Sequence, residues 1–292
     1  MSVRRPALRY HGGKWILAPW IIGHFPRHRV YVEPYGGAGS VLLRKPRSYA
    51  EIYNDLDGEI VNVFRILQDD SRAERLRRLL TVTPFSRDEY RMSFAVSEDP
   101  VEQARRTIIR SLMGFGSNAL ARGIQSGFRC NSSRSGTTPA LDWMNYPEHI
   151  SRFVARLRGV VIENRDAIEI ISQHDGPHTL HYCDPPYVRS SRSSAMHGDH
   201  GYTHEMTDDD HRRLSERLHI VSGFAIVSGY RSPLYESLYG DWAHVERASL
   251  ADGARERTEV LWLSPRCDVA SSLFDLAPVP ADNGERIAEG EG

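Results

Sequence analysis

Lysine is nearly missing from this chain: Lys14 and Lys45 stand beside thirty-five arginines. Cysteine is scarce too, and Cys130, Cys183 and Cys267 are too scattered for a disulfide framework or a metal-spaced pair. That usage suits a reducing cytoplasm. No run approaches the roughly 18 apolar residues of a membrane helix, and the first residues lack the apolar core of a secretory signal. None of the thirteen histidines stands in H-E-x-x-H spacing. His197, His200, His204 and His211 lie near Asp199 and Asp208 to Asp210, but Thr207-Asp208-Asp209-Asp210-His211 is better read as an N-cap with an acidic first turn, so no metal is assigned. A net charge of -1 over 292 residues argues weakly against a nucleic-acid partner until it is resolved along the chain.

What the sequence does carry is concentrated in three short motifs. Thr179-Leu180-His181-Tyr182-Cys183 reads as a strand, and it runs into Asp184-Pro185-Pro186-Tyr187. An acidic residue, two ring-constrained residues and an aromatic at a strand's C-terminal edge make a rigid rim for a planar, amino-bearing base. An exocyclic amine is a poor nucleophile because its lone pair is conjugated into the ring. Asp184 and the Pro185 carbonyl can both accept from one NH2 group, and Tyr187 can stack on an extruded ring. The competing reading is a Pro-rich strand terminator.

The second motif, Tyr31-Val32-Glu33-Pro34-Tyr35-Gly36-Gly37-Ala38-Gly39-Ser40, has the strand-turn-helix context of a nucleotide-cofactor loop. The third glycine of a dinucleotide fingerprint is missing, which disfavours a diphosphate. A further strand, Glu51 to Tyr53, ends in Asn54-Asp55 and places a carboxylate where a ribose diol would lie, although Asp55 equally suits a cap for a helix over 56–67. The third motif, Arg9-Tyr10-His11-Gly12-Gly13-Lys14-Trp15, precedes a helical stretch over 16–25 and retains an ammonium in a chain that otherwise prefers guanidinium.

With these elements in this order, the chain resembles the Dam-type DNA adenine methylases, in their phage-like form. Tyr10 to Lys14, Glu33 to Ser40, Asp55 and Asp184 to Tyr187 carry the likeness, and the blocks 201–204, 225–230 and 257–262 extend it to about residues 5–265. His11 departs from the pattern, filling a position that is usually small. The resemblance implies S-adenosyl-L-methionine as methyl donor, with cofactor contacts on Tyr10, Lys14, Asp55 and Asp184. Glu33 and the turn carrying Gly37 and Gly39 would shape the methionine side of the pocket. Asp166 is placed either to meet the donor's adenine amino group or to cap a helix over 167–171. Asp184, Pro185 and Tyr187 are the expected catalytic residues.

The expected fold is α/β: a Rossmann-like methyltransferase sheet with an inserted, mainly helical target-recognition domain. The catalytic domain is expected over 1–63 and 159–276, the insertion over 64–158, and a flexible tail over 277–292. Sixteen arginines against ten acidic residues lie between Phe64 and Arg158, a local balance of +6 that leaves -7 for the rest. The first part of that stretch predicts helices over 72–80, from Ser86, and over 100–113. The second part, 114–138, is rich in Gly, Ser, Asn and Arg and predicts loop or hairpin. Arg122, Arg129 and Arg134, with Asn118, Gln125 and Asn131, could read bases or hold phosphates of double-stranded DNA, or simply form a solvated arginine-rich surface. The polar run 188–200 is a candidate lid. Cytosine-N4 or RNA amines, and a catalytically silent DNA-binding relative, stay open as alternatives; a cognate restriction nuclease is a conceivable partner and no obligate protein partner is expected.

Overall fold

The computed structural model describes residues 2–10, 12–116, 120, 126–131, 136–189, 203–251 and 255–267. Five strands run parallel: β1 (Val30–Glu33), β2 (Ala50–Asn54), β3 (Val160–Glu163), β4 (Thr179–Cys183) and β5 (Phe224–Gly229). A hairpin of β6 (Ala243–Ala251) and β7 (Arg255–Leu263) closes the sheet antiparallel to β5, in the order β3-β2-β1-β4-β5-β7-β6. Every residue of β4 and β5 is buried. Strands covered on both faces need apolar runs without alternation, which is how both read in sequence. The strand order reverses between β1 and β4, so a crevice opens at their C-terminal ends, where open α/β sheets hold ligands.

Alternate residues of β5 divide the core. Ile226 packs into a cluster with helices α3 (Gly58–Gln68), α4 (Asp70–Val82), α6 (Pro100–Met113) and α8 (Ile150–Leu157). Ala225 and Val227 pack with α10 (Asp208–His219) and α11 (Pro233–Tyr239), which lie on the other face beside α9 (Ala167–His174). Three short helices, α1 (Ala18–Gly23), α2 (Ser40–Arg44) and α5 (Arg87–Met92), and a fourth, α7 (Pro139–Met144), complete the described set. Helix α6 spans the expected residues because Asp99 caps it, Pro100 opens it and its apolar residues recur on one face. Helix α10 opens on a capping box formed by Thr207 and Asp210, as its sequence suggests.

Two expectations change. The cap of α3 is Asp57, whose side chain accepts from Glu59 N, and not Asp55. The boundary expected at residue 64 falls inside α3, and Phe64, Leu76, Ile108 and Phe153 share one core with Tyr31 and Leu42. Arg156 in α8 pairs with buried Glu51 in β2 at 2.6 Å, and Lys45 reaches the same carboxylate at 2.6 Å. A carboxylate this deep keeps its charge only because two cations and their hydrogen bonds compensate desolvation, so α8 is fastened to the sheet. The 114–138 segment closes at its base: Phe115 N donates to Gly127 O and Arg129 N to Met113 O, flanking a bridge between Gly114 and Phe128. Arg122, Arg134, Asn118 and Gln125, His11, the run 190–202 and the tail lie outside the described residues. Among the described residues no helix is long and apolar enough to cross a membrane.

Candidate active site

The crevice is built from strand ends. Glu33 closes β1 and is buried; its Oε2 accepts from Tyr31 Oη at 2.7 Å and from Leu42 N at 3.0 Å. Burial pushes its carboxyl up to about 8 against the pull of the Tyr31 hydroxyl. The chain then turns through Gly36 to Gly39 into α2. A side chain at Gly36 would place a Cβ 2.1 Å from the Tyr53 ring, and Gly39 caps α2 in the left-handed region at φ 60°. These glycines therefore serve backbone geometry and packing as well as ligand approach. Tyr53 Oη donates to Gly37 O at 2.6 Å and locks the turn to β2.

Asp55 sits just past the tip of β2, where its Oδ2 accepts from Gly37 N at 2.7 Å and its Oδ1 from Asp57 N at 2.8 Å. Its carboxyl is raised to about 6 by burial, partly offset by those two backbone donors. Asp166 caps α9 by accepting from Ile168 N and Glu169 N and also lines the crevice, so both of its expected positions coincide. Tyr10, Gly12, Gly13 and Lys14 form the facing wall.

Lys14 is 4% exposed, and its Nζ lies 3.0 Å from Asp184 Oδ1 and donates to Gly12 O at 2.9 Å. The same ammonium stands 4.7 Å from the centroid of the Tyr187 ring. Asp184 is partly buried after β4, and burial raises its carboxyl to about 6 although Lys14 pulls the other way. Tyr187 is 5% exposed, packs edge-on against Tyr230 with centroids 4.4 Å apart, and donates its hydroxyl to Glu259 Oε1 at 2.6 Å. Stacking a base on this ring requires Lys14 or Tyr230 to give way.

The structure thus brings Tyr10, Lys14, Glu33, Gly37, Asp55, Asp166 and Asp184 to one cavity, with Pro186 on its rim. Pro185 is buried beside it, and Gly39 supports the turn from below. Arg129 is not part of this cavity. Residues His204, Glu205, Met206, Asp210 and Arg213 also line it and were not singled out as cofactor contacts in the sequence; their approach depends on how α10 folds back. Glu259 was missed as well. It stands inside the block 257–262 that extends the family likeness, as an acidic side chain at the head of the apolar run Val260-Leu261-Trp262-Leu263, but the block was not read as part of the site.

The family model for the D12 class N6 adenine-specific DNA methyltransferases matches residues 10–249. The chain is similar to the DNA adenine methylase of Salmonella typhi, at 25% identity over 226 residues covering 75% of this chain and 78% of the relative. It is similar to that of Escherichia coli (strain K12), at 25% over 223 residues, 74% of this chain and 76% of the relative. A third, the DNA adenine methylase of Vibrio cholerae serotype O1 (strain ATCC 39541), is 25% identical over 204 residues, 66% of this chain and 69% of the relative.

Proposed function

The chain belongs to the D12 class of N6 adenine-specific DNA methyltransferases, and from that premise we propose how its residues divide the work of moving a methyl group from S-adenosyl-L-methionine to the N6 amine of adenine in DNA. The chemistry of the crevice fits the donor. A carboxylate offers about four lone-pair sites. Asp55 commits two of them to Gly37 N and Asp57 N, which leaves acceptor capacity for a ribose diol. Asp166 lines the same cavity as an acceptor for an adenine amino group, and Tyr10 walls its other side. Glu33, Gly37 and Gly39 shape the end that would receive the amino-acid part.

When bound, the donor supplies an electrophilic methyl carbon on a cationic sulfur. The chain's own task is to make a conjugated amine nucleophilic and to hold it in line. Asp184 and the Pro185 carbonyl would accept hydrogen bonds from the target NH2, drawing density onto its nitrogen. As the nitrogen–methyl bond forms, the methyl–sulfur bond would break to leave a neutral thioether, and the amine would give up one proton along its hydrogen bond to Asp184. With its carboxyl near 6, Asp184 is ionised at neutral pH and ready to accept. Tyr187 offers the stacking surface once its ring is freed from Lys14 or Tyr230. The segment 114–138, with Arg129 at its base and Arg122 and Arg134 within it, is assigned to DNA contact, as part of a target-recognition insertion that packs on the same core as the α/β sheet. Its basic balance supports that assignment.

The observation that carries the site is Lys14 held 3.0 Å from Asp184 at the end of β4, facing the glycine turn. Asp184→Ala tests it: turnover is lost while the fold, followed by circular dichroism, is kept. Near-normal methylation by that variant would overturn the assignment.

A further inference from the structure

Glu259 is a carboxylate buried where nothing in the transfer chemistry asks for one. It stands at 2% exposure in β7, one strand beyond β5 and seventy-two positions from Tyr187. Its Oε1 accepts from two hydroxyls, Tyr187 Oη at 2.6 Å and Ser228 Oγ at 2.6 Å, and lies 3.7 Å from Lys14 Nζ. Lys14 therefore stands between two carboxylates, at 3.0 Å from Asp184 and 3.7 Å from Glu259. A buried carboxylate whose partners are the aromatic and the cation of the reaction site is costly to keep unless it does something there, since an apolar residue would pack in β7 without desolvation.

We propose that Glu259 is a positioning residue for the methyl transfer: it fixes the Tyr187 ring by its hydroxyl and shares the Lys14 ammonium with Asp184, so that Asp184 stays available to the target amine. The proposal rests on the assignment of Asp184 as the amine's acceptor. Two physical consequences follow. Without Glu259, Lys14 has a single carboxylate to neutralise and settles on Asp184, competing with the incoming NH2 group. Without it the Tyr187 hydroxyl also loses its β7 acceptor and is left to Asp184, which adds a second donor to the carboxylate that must receive the target amine.

The ionisable groups facing Asp184 are Lys14 from the N-terminal wall, Glu33 from β1, Tyr182 and Cys183 from β4, Tyr187, Glu259 from β7 and Tyr235 from α11. Lys14 holds the Asp184 carboxyl down, and the negative charge of Glu259 pushes it up. Removing that charge moves Asp184 toward lower values, a change that a purely structural defect would not produce.

The test compares wild type, Glu259→Gln, Tyr187→Phe, the double variant and Asp184→Ala in the full chain. Donor affinity is measured by calorimetry with S-adenosyl-L-methionine, and single-turnover methylation of duplex DNA is measured against pH. Glu259→Gln is expected to slow turnover roughly tenfold, the scale of one hydrogen bond to a charged group. Donor affinity should stay within about threefold, well below that scale, and the acid limb of the rate should move to lower pH. The double variant should lose no more than the worse single change, because both act on one hydrogen bond. Full turnover and an unmoved acid limb in Glu259→Gln, with Asp184→Ala inactive, would overturn the proposal and leave the assignment of Asp184 standing. A parallel loss of donor affinity and turnover without a pH shift would reduce Glu259 to a structural residue and overturn it too. An active Asp184→Ala would instead remove the assignment on which it rests.

Discussion

Asp55 and Asp184 lie in one cavity with carboxyls both raised to about 6, yet they are assigned different work, and donor binding separates them. Asp55→Ala removes an acceptor for ribose hydroxyls, a hydrogen bond to a charged group that contributes about 1.5–3 kcal/mol. At 1.4 kcal/mol per decade, the donor dissociation constant should rise roughly 10- to 150-fold. The demethylated product shares the ribose and should weaken by the same factor. Asp184→Ala should cost less than about tenfold in donor affinity, because the side chains it meets are Lys14 and Tyr187 and its assigned ligand is the target amine, while its turnover should vanish. Asp55 also holds Gly37 N and Asp57 N, so thermal unfolding of both variants must accompany the titration to show that the glycine turn survives. Calorimetry with donor and product on wild type, Asp55→Ala and Asp184→Ala is the assay. In wild type, affinity should fall as pH drops below about 6 and Asp55 takes up a proton. Equal losses of donor affinity in the two variants would refute the division of roles, and an unchanged affinity in Asp55→Ala would remove Asp55 from the cofactor altogether.

Three further outcomes follow from charge and stacking. Glu33, Asp55 and Asp184 are all raised above their ordinary values, to about 8, 6 and 6, so their contribution to stability is full below the unfolded carboxyl range of about 4 and is lost as pH rises through 6 and then 8. Thermal unfolding of the free protein should show that loss, and Asp55→Asn with Asp184→Asn should flatten it; parallel pH curves for parent and variant would contradict the sign. Tyr187→Phe should fall about as far as Glu259→Gln, whereas Tyr187→Gly should fall at least a further tenfold, since stacking on an aromatic contributes about 1–3 kcal/mol per base; equal inactivity of Phe and Gly would put the hydroxyl, not the ring, at the centre. Replacing Arg122, Arg129 and Arg134 with Ala should weaken DNA binding or relax sequence choice and reduce the log-log salt slope by about one unit per lost phosphate contact, with donor affinity kept. A salt titration with unchanged affinity, slope and sequence choice would move recognition away from the 114–138 segment.

The parts of the site that were legible in the sequence are those set by neighbours in the chain. Asp184-Pro185-Pro186-Tyr187 and the Gly36 to Gly39 turn announce themselves because proline and glycine restrict or free the backbone locally, whatever surrounds them. Helix α6 was readable end to end for the same reason, its cap and first proline being adjacent. Glu259 was not, because its meaning comes from Tyr187 and Ser228 across strands that only the sheet brings together. Strand β6 escaped notice because Ala243 to Ala251 is a polar edge strand with no apolar run to mark it. The cap of α3 shifted by two residues, from Asp55 to Asp57, in a stretch where either aspartate satisfies the local rule and only the pull of Gly37 N on Asp55 decides. Helices α7 and α8 were hidden in a stretch that reads as basic surface, yet Trp143 and Phe153 bury against the same core as the sheet.

The most direct measurement follows the methyl group itself. Purified protein is incubated with duplex DNA and S-adenosyl-L-methionine carrying an isotopically labelled methyl, and the digested nucleosides are weighed by mass spectrometry. Label is predicted in N6-methyladenine for wild type and absent for Asp184→Ala. Label in N4-methylcytosine or another nucleoside, or undiminished N6-methyladenine from Asp184→Ala, would contradict the transfer to adenine through the acceptor at the end of β4.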